Sequence, residues 1–150
     1  MAFGQLSLKG RALRLLAGRE HSRRELERRL AEHETEPGQV QRALDELQAK
    51  GFLDEQRVVD SVVHRRASRL GAGRIRQELQ AKGIDAERVA QAVEGLRATE
   101  FDRARDVWRR KFGASPATPA ERGRQARFLA ARGFSGEAIR GVLAADDDQA

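Results

Sequence analysis

The sequence predicts an all-α protein built as a tandem array of three three-helix units, elongated and curved. Three observations carry this. Alternating strand-like runs are missing and tyrosine is absent, while Ala, Leu, Arg, Glu and Gln dominate. The pattern "LQAKG" at 47–51 and 79–83, with the looser "LAARG" at 129–133, stops a helix by one device each time. Finally, "LQAKGIDAERVAQAV" (79–93) aligns without gaps on "LAARGFSGEAIRGVL" (129–143), 50 residues further along.

Helices are expected over 8–18, 23–34, 37–50, 55–70, 73–82, 86–97, 100–112, 119–132 and 136–145. Ser22–Glu25 and Thr118–Glu121 fit the capping box, the second with Pro119 at the first helical position. Asp54, Asp85, Thr99 and Ser135 are expected to cap further helices. With Gly51 as the left-handed residue after a helix, Leu47 and Phe52 occupy the two positions that touch in a Schellman motif. Leu79 with Ile84 around Gly83, and Leu129 with Phe134 around Gly133, repeat the pairing. Lys50, Lys82 and Arg132 set a cation against each helix's negative end.

The repeat pairs Leu79 with Leu129, Val89 with Ile139 and Val93 with Leu143. Residues 25–44 carry the same two-helix pattern more loosely, with Leu30, Val40 and Leu44 in equivalent roles and Glu34 where Gly83 would align. Three units follow, at 8–50, 54–97 and 100–145, with Pro116 and Pro119 between the seventh and eighth helices. The two identical LQAKG copies therefore close different joints, the third helix of one unit and the second helix of the next. A single three-helix unit is marginal alone, so neighbours are expected to pack on each other.

The net charge is +6, with 29 basic against 23 acidic residues. Twenty-five of the basic residues are arginine, since Lys9, Lys50, Lys82 and Lys111 are the only lysines. Such a balance favours an anionic partner, and arginine forks suit phosphates and carboxylates. The absence of cysteine rules out disulfides and thiolate chemistry and suits a reducing compartment. No apolar signal core or membrane-length run occurs, which points to a soluble, cytoplasmic protein. The acidic run at 146–148 reads as a frayed tail.

Catalytic patterns are lacking. "GAGRIR" (71–76) has two glycines of a dinucleotide turn but follows a helix, so Gly71 and Gly73 read as breakers between two helices. His21, His33 and His64 lack ligand spacing and cysteine partners, and read as surface or cap-adjacent residues. Ser22 beside His21 already spends its hydroxyl on the cap. No enzyme activity, cofactor or metal is expected.

Two basic stretches stand out. "SVVHRRASRLGAGRIRQ" (61–77) holds Arg65, Arg66, Arg69, Arg74 and Arg76 without an acid. Val59, Val62, Val63, Ala67 and Leu70 form its helix's apolar stripe, with Arg65 and Arg69 one turn apart on the flank. "FDRARDVWRRKF" (101–112) holds Arg103, Arg105, Arg109, Arg110 and Lys111 against Asp102 and Asp106, with Phe101, Ala104, Trp108 and Phe112 as its buried stripe. The candidate contact residues are Arg65, Arg66, Arg69, Arg74, Arg76, Arg103, Arg109, Arg110 and Lys111.

"ALRLLAGREHSRRELERRL" (12–30), "GFLDEQRVVDSVVHRRA" (51–67), "GRIRQELQAKGI" (73–84) and "RFLAARGFSGEAIRGVL" (127–143) together resemble the bacterial RecX regulators, in order and over essentially the whole chain. After "GFLDEQR" the family usually has an aromatic and then a small residue, where this chain has Val58 and Val59. The resemblance implies tandem three-helix units and a non-enzymatic modulator of the RecA recombinase in DNA repair, homologous recombination and the SOS response. Such a protein binds in the groove of the RecA–DNA filament and limits its extension or promotes its disassembly. Strand exchange, ATP hydrolysis and co-protease activity are thereby damped. RecA is then the partner, with single- and double-stranded DNA as further partners, no membrane, and a monomer or a unit-swapped dimer as the acting form. The alternative is a stand-alone helical DNA-binding protein, since basic three-helix units also serve as helix-turn-helix readers. The third, sixth and ninth helices begin "EPGQ", "DAER" and "SGEA", with acid where bases or phosphates would sit, which disfavours it.

Overall fold

The structure, a computed structural model, describes residues 5–147, with side-chain burial as far as Ala144. Among the described residues it is all helix, without a strand: α1 (Leu8–Gly18), α2 (Arg23–Leu30), α3 (Gln39–Ala49), α4 (Glu55–Arg66), α5 (Ala72–Ala81), α6 (Ala86–Arg97), α7 (Glu100–Lys111), α8 (Pro119–Ala131) and α9 (Gly136–Asp147). The side chains of the acidic run at 146–148 lie outside the described residues.

Caps explain most starts. The Ser22 hydroxyl accepts from the Glu25 amide at 3.2 Å while the Glu25 carboxylate accepts from the Ser22 amide at 3.0 Å, a complete capping box. Asp54, Asp85 and Ser135 each accept from the amide three residues on. Thr118 does the same for Glu121, whose carboxylate accepts from the Ala117 amide. Thr99 departs from expectation and caps no amide. Only Ala98 and Thr99 separate α6 from α7, and the Thr99 hydroxyl turns back to the Leu96 carbonyl at 3.3 Å.

The glycine stops are present at all three places. Gly51, Gly83 and Gly133 have φ of 82°, 78° and 92°. The next amide in each bonds the carbonyl five residues back: Phe52 to Leu47 at 2.9 Å, Ile84 to Leu79 at 3.1 Å and Phe134 to Leu129 at 3.2 Å. Ile84 and Phe134 are buried as the motif requires, but Phe52 is 51% exposed and Leu53 enters the core in its place.

Several ends moved. α2 stops at Leu30 and tightens into a 3-10 turn over Ala31–His33 instead of running to 34. α3 starts at Gln39 rather than 37, because Pro37 and Gly38 (φ 88°) form a turn. Glu34 then caps α3, its carboxylate accepting from the Val40 amide at 2.9 Å. α4 ends at Arg66, not 70, so Arg69 stands in the turn beyond the helix rather than one turn along from Arg65. Val58 joins Val59 and Val62 in burial, while Val63, Ala67 and Leu70 are half-buried. On α7, Val107 is buried with Ala104 and Trp108, while Phe101 is 37% exposed and packs against Gly141 of α9.

Each trio of helices has its own core. Ala12, Leu26, Leu30, Val40, Leu44, Leu47 and Leu53 form the first. The second gathers Val58, Val59, Val62, Ile75, Leu79, Ile84, Val89, Val93 and Leu96. The third gathers Ala104, Val107, Trp108, Leu129, Phe134, Ile139, Val142 and Leu143. The repeat pairs Leu79/Leu129, Ile84/Phe134, Val89/Ile139 and Val93/Leu143 are all buried. The Trp108 indole N–H is satisfied by Gln125 Oε1 at 2.8 Å.

Consecutive units meet by one repeated contact. Glu55, the first residue of α4, accepts from the Arg23 amide at the start of α2 at 2.9 Å. Glu100, the first residue of α7, accepts from the Ala72 amide at the start of α5 at 3.2 Å. An anion thus sits at the positive start of each preceding unit's second helix. Burial raises the Glu55 pKa against the opposing pull of the Arg23 amide.

Beyond that shared contact the joints differ. Between the first and second units the remaining contacts come from side chains: Arg57 to Glu20 at 3.0 Å, Lys82 to Glu25 at 3.2 Å, and Arg24 lying across Gly83. Between the second and third units, backbone meets backbone.

Candidate functional site

The candidate cations lie on α4, α5, α7 and the turn after α4; the joint of the second and third units positions Arg69, Arg74, Arg103, Arg110 and Lys111, whereas Arg76 lines a recess with Arg24 and Gly83 of the other joint. At the joint of the second and third units the start of α5 abuts the end of α8. The Gly71 amide donates to Arg132 O at 2.8 Å and the Gly73 amide to Gly133 O at 3.1 Å. Arg74 Nη1 adds a bond to Ala131 O at 2.8 Å. The positive end of one helix and the negative end of the other satisfy each other's unpaired groups. A Cβ at Gly71 would lie 2.4 Å from the Gly133 backbone, so only glycine admits this approach. Gly71 and Gly73 are therefore more than helix breakers: they are the docking face of the joint.

Two arginines of α7 pin the same joint. Arg103 donates through Nη1 to Ala67 O (3.0 Å) and Leu70 O (2.7 Å), through Nη2 to Leu96 O (3.0 Å), and through Nε to Thr99 Oγ1 (3.0 Å). Its guanidinium also lies over the Phe134 ring at 6.0 Å. Burial lowers its pKa, partly offset by Glu100. Arg110 Nη2 donates to Ser68 O at 2.7 Å. Arg103 takes up the carbonyls left open where α4 ends, which is why the helix stops short of 70.

The candidates thus separate. Arg65, Arg69, Arg74, Arg76, Arg109, Arg110 and Lys111 are exposed, whereas Arg66 is half-buried and paired with Glu78 at 3.1 Å. Arg103 is half-buried with every guanidinium nitrogen engaged. Arg69, Arg110 and Lys111 line one recess of about 250 Å³ with Val107, Phe128 and Arg132. Sequence reasoning missed Arg132 here, having read it only as the cation at the end of a helix. No sequence signal marks it, because the joint that brings Arg132 to the recess pairs Gly71 and Gly73 with residues some 60 positions away.

Around the recess the aromatic ring of Phe128 orients its cations. Lys111 Nζ stands 5.4 Å and the Arg132 guanidinium 4.9 Å from the ring centroid. Phe112 meets Phe128 edge-on at 5.4 Å and holds the ring in place.

The histidines take different places. His21 is buried rather than on the surface, its Nδ1 3.0 Å from Arg19 O, and burial lowers its pKa. His33 is half-buried and His64 exposed. Among the described residues no three His, Asp or Glu side chains gather as a metal site. No described helix is long and apolar enough to cross a membrane.

Comparison with known proteins agrees with this architecture. Residues 9–47, 54–93 and 98–143 match, respectively, the first, second and third three-helix domains of RecX. The chain is 56% identical over 145 residues to the regulatory protein RecX of Leptothrix cholodnii, covering 97% of this chain and 92% of that one. It is 44% identical over 148 residues to the regulatory protein RecX of Herminiimonas arsenicoxydans, covering 99% and 98%. In fold, it matches the crystal structure of RecX from Lactobacillus salivarius with a TM-score of 0.78 at 17% identity, over 93% of this chain and 94% of that one. Another RecX crystal structure matches with a TM-score of 0.75 at 21% identity, over 90% and 70%. Three domain matches in order, over a chain with three separate cores, leave one assignment: this chain belongs to the RecX family.

Proposed function

We propose that this chain is a non-enzymatic regulator that binds the RecA–DNA filament and limits its extension or promotes its disassembly, damping recombinase, ATPase and co-protease activities in the cytoplasm. One observation supports this above others. Arg69, Arg74, Arg110 and Lys111, all exposed, cluster about the joint of two units whose mutual position is held by backbone bonds. A rigid array of cations binds a polyanionic or acid-lined groove without first ordering itself. Occupying a groove requires no bond-making.

The test is ATP hydrolysis by RecA from the same source on single-stranded DNA. Stoichiometric addition of this protein should slow hydrolysis progressively as filaments shorten. Hydrolysis unchanged at a molar excess over RecA overturns the reading.

A further inference from the structure

We infer that the recess between the first and second units docks an acidic peptide segment of a protein partner, with an apolar side chain as its anchor. This goes beyond the filament reading, which assigns no occupant to that recess. It encloses about 510 Å³ and runs along α6. Its floor is apolar. Ile84, Val89 and Val93 show only their edges, and Ala86 and Ala90 are exposed one helical turn apart. Side chains this small leave room for a larger one from outside.

Three arginines stand around the floor, each from a different helix. Arg24 comes from α2 and lies across Gly83, just before α6 begins. Arg97 is the last residue of α6, and Arg76 belongs to α5. All three are exposed, and no hydrogen bond or ion pair among the described residues engages their guanidinium groups. The axis of α6 advances about 16 Å from Ala86 to Arg97, so Arg24 and Arg97 mark opposite ends of the recess. Arg24 belongs to the first unit and the other two to the second, so the recess is complete only when the units are docked.

The charges and the floor together select the occupant. Guanidinium forks hold carboxylates bidentately, and one carboxylate cannot reach both ends. A peptide with acids at both ends and an aliphatic side chain between them meets every feature at once. A nucleic-acid strand fits less well. Its phosphates would leave the floor uncovered, and no aromatic ring lines the recess to stack a base. Glu94, exposed and also lining the recess, would repel a continuous run of negative charge. A peptide can instead set a backbone N–H against it.

The experiment uses the full chain without RecA and follows the fluorescence anisotropy of a short labelled peptide in which aspartates flank two leucines. A second peptide has alanines in place of the leucines, and a third arm is single-stranded oligo-dT. The leucine peptide should bind about tenfold or more tightly than the alanine peptide. Arg76→Glu/Arg97→Glu, at two exposed side chains, should weaken its binding by about tenfold or more. Ala90→Lys decides the matter even if the double variant misfolds, because it suits an exposed helical position and adds a cation while filling the floor. It should weaken the leucine peptide by about fivefold or more. No binding of the leucine peptide to wild type, or equal affinity for the two peptides, overturns the inference. Unchanged or tighter binding to Ala90→Lys also overturns it, since the recess is then a plain cluster of cations. Oligo-dT that displaces the leucine peptide, and does so better in Ala90→Lys, makes the occupant a nucleic acid and likewise overturns it. If the peptide fails while RecA ATPase is inhibited, the inference falls and the filament reading stands. If the peptide binds as stated and RecA is never inhibited, the filament reading falls alone.

Discussion

Glu100 accepts a hydrogen bond from the amide of Ala72 at 3.2 Å, and 45 residues earlier in the chain Glu55 does the same for Arg23. Each glutamate opens the first helix of its unit and closes onto the second helix of the unit before. The three buried clusters are separate, so this polar contact between helix ends is one of the bonds that fix each unit on its neighbour.

Glu100→Ala should therefore destabilise the chain by about 1–3 kcal/mol, the cost of leaving a buried amide without an acceptor. Glu100 is 6% exposed, whereas Glu55 is half-buried, so water can replace Glu55 in part and Glu55→Ala should cost less. Urea unfolding of the two variants measures the difference. Equal losses would mean that burial does not set the strength of the joint.

The second joint also depends on its glycines. Gly71→Ala places a methyl group 2.4 Å from the Gly133 carbonyl, which must separate the backbones and break the Gly71 and Gly73 bonds. The expected cost is at least about 2 kcal/mol. The radius of gyration from small-angle scattering should also rise, while helical content by circular dichroism stays constant. Gly95 lies within α6 with nothing within 4 Å of a built Cβ, so Gly95→Ala should instead stabilise by about 0.5–1 kcal/mol. Opposite signs at two helical-unit glycines separate a docking role from mere conformational freedom.

The first joint responds to acid. Glu25 is partly buried, which would raise its pKa, but the Ser22 amide, Arg19 and Lys82 outweigh that and bring it down to about 2 from 4.5. A carboxyl with a depressed folded pKa contributes stability that is fully present above about pH 4.5 and lost as pH falls toward 2. Glu25→Gln should therefore cost on the order of 2 kcal/mol at pH 7, allowing for solvent screening, and nothing near pH 2. Unfolding free energies at pH 7, 4 and 2.5 should converge for wild type and variant. A constant gap across that range would assign the effect to packing instead.

Local chemistry made most of the fold legible. Gly51, Gly83 and Gly133 have the positive φ that their places after Lys50, Lys82 and Arg132 imply, and Asp54, Asp85 and Ser135 cap as their spacing implies. What failed depended on distant residues. α4 ends at Arg66 because Arg103, 33 residues beyond Leu70, takes the carbonyls of Ala67 and Leu70. Gly71 and Gly73 look like ordinary breakers until Gly133 is brought against them. His21 is buried by tertiary packing that its polar neighbours conceal. For the candidate site the sequence marked the right stretches, but net charge does not say which guanidinium is spent on carbonyls and which is left open.

That distinction between spent and open arginines yields the last prediction. Arg103 and Arg109 lie on one helix with the same charge, yet Arg103 makes three hydrogen bonds across the joint and a fourth to Thr99 at the start of its own helix, while Arg109 is exposed. Arg103→Ala should unpair the Ala67 and Leu70 carbonyls, the Leu96 carbonyl keeping the Thr99 amide and hydroxyl, and lower stability by about 2–4 kcal/mol; Arg103→Lys should rescue little, since an ammonium cannot reproduce the fork. Arg109→Ala should change stability by no more than about 0.5 kcal/mol. In a RecA ATPase titration Arg109→Ala should weaken inhibition at unchanged melting temperature, whereas Arg103→Ala should weaken it only together with a lowered melting temperature. Inhibition lost in Arg103→Lys at an unchanged melting temperature would make Arg103 a contact residue after all, and would mean that its carbonyl bonds open when the partner binds.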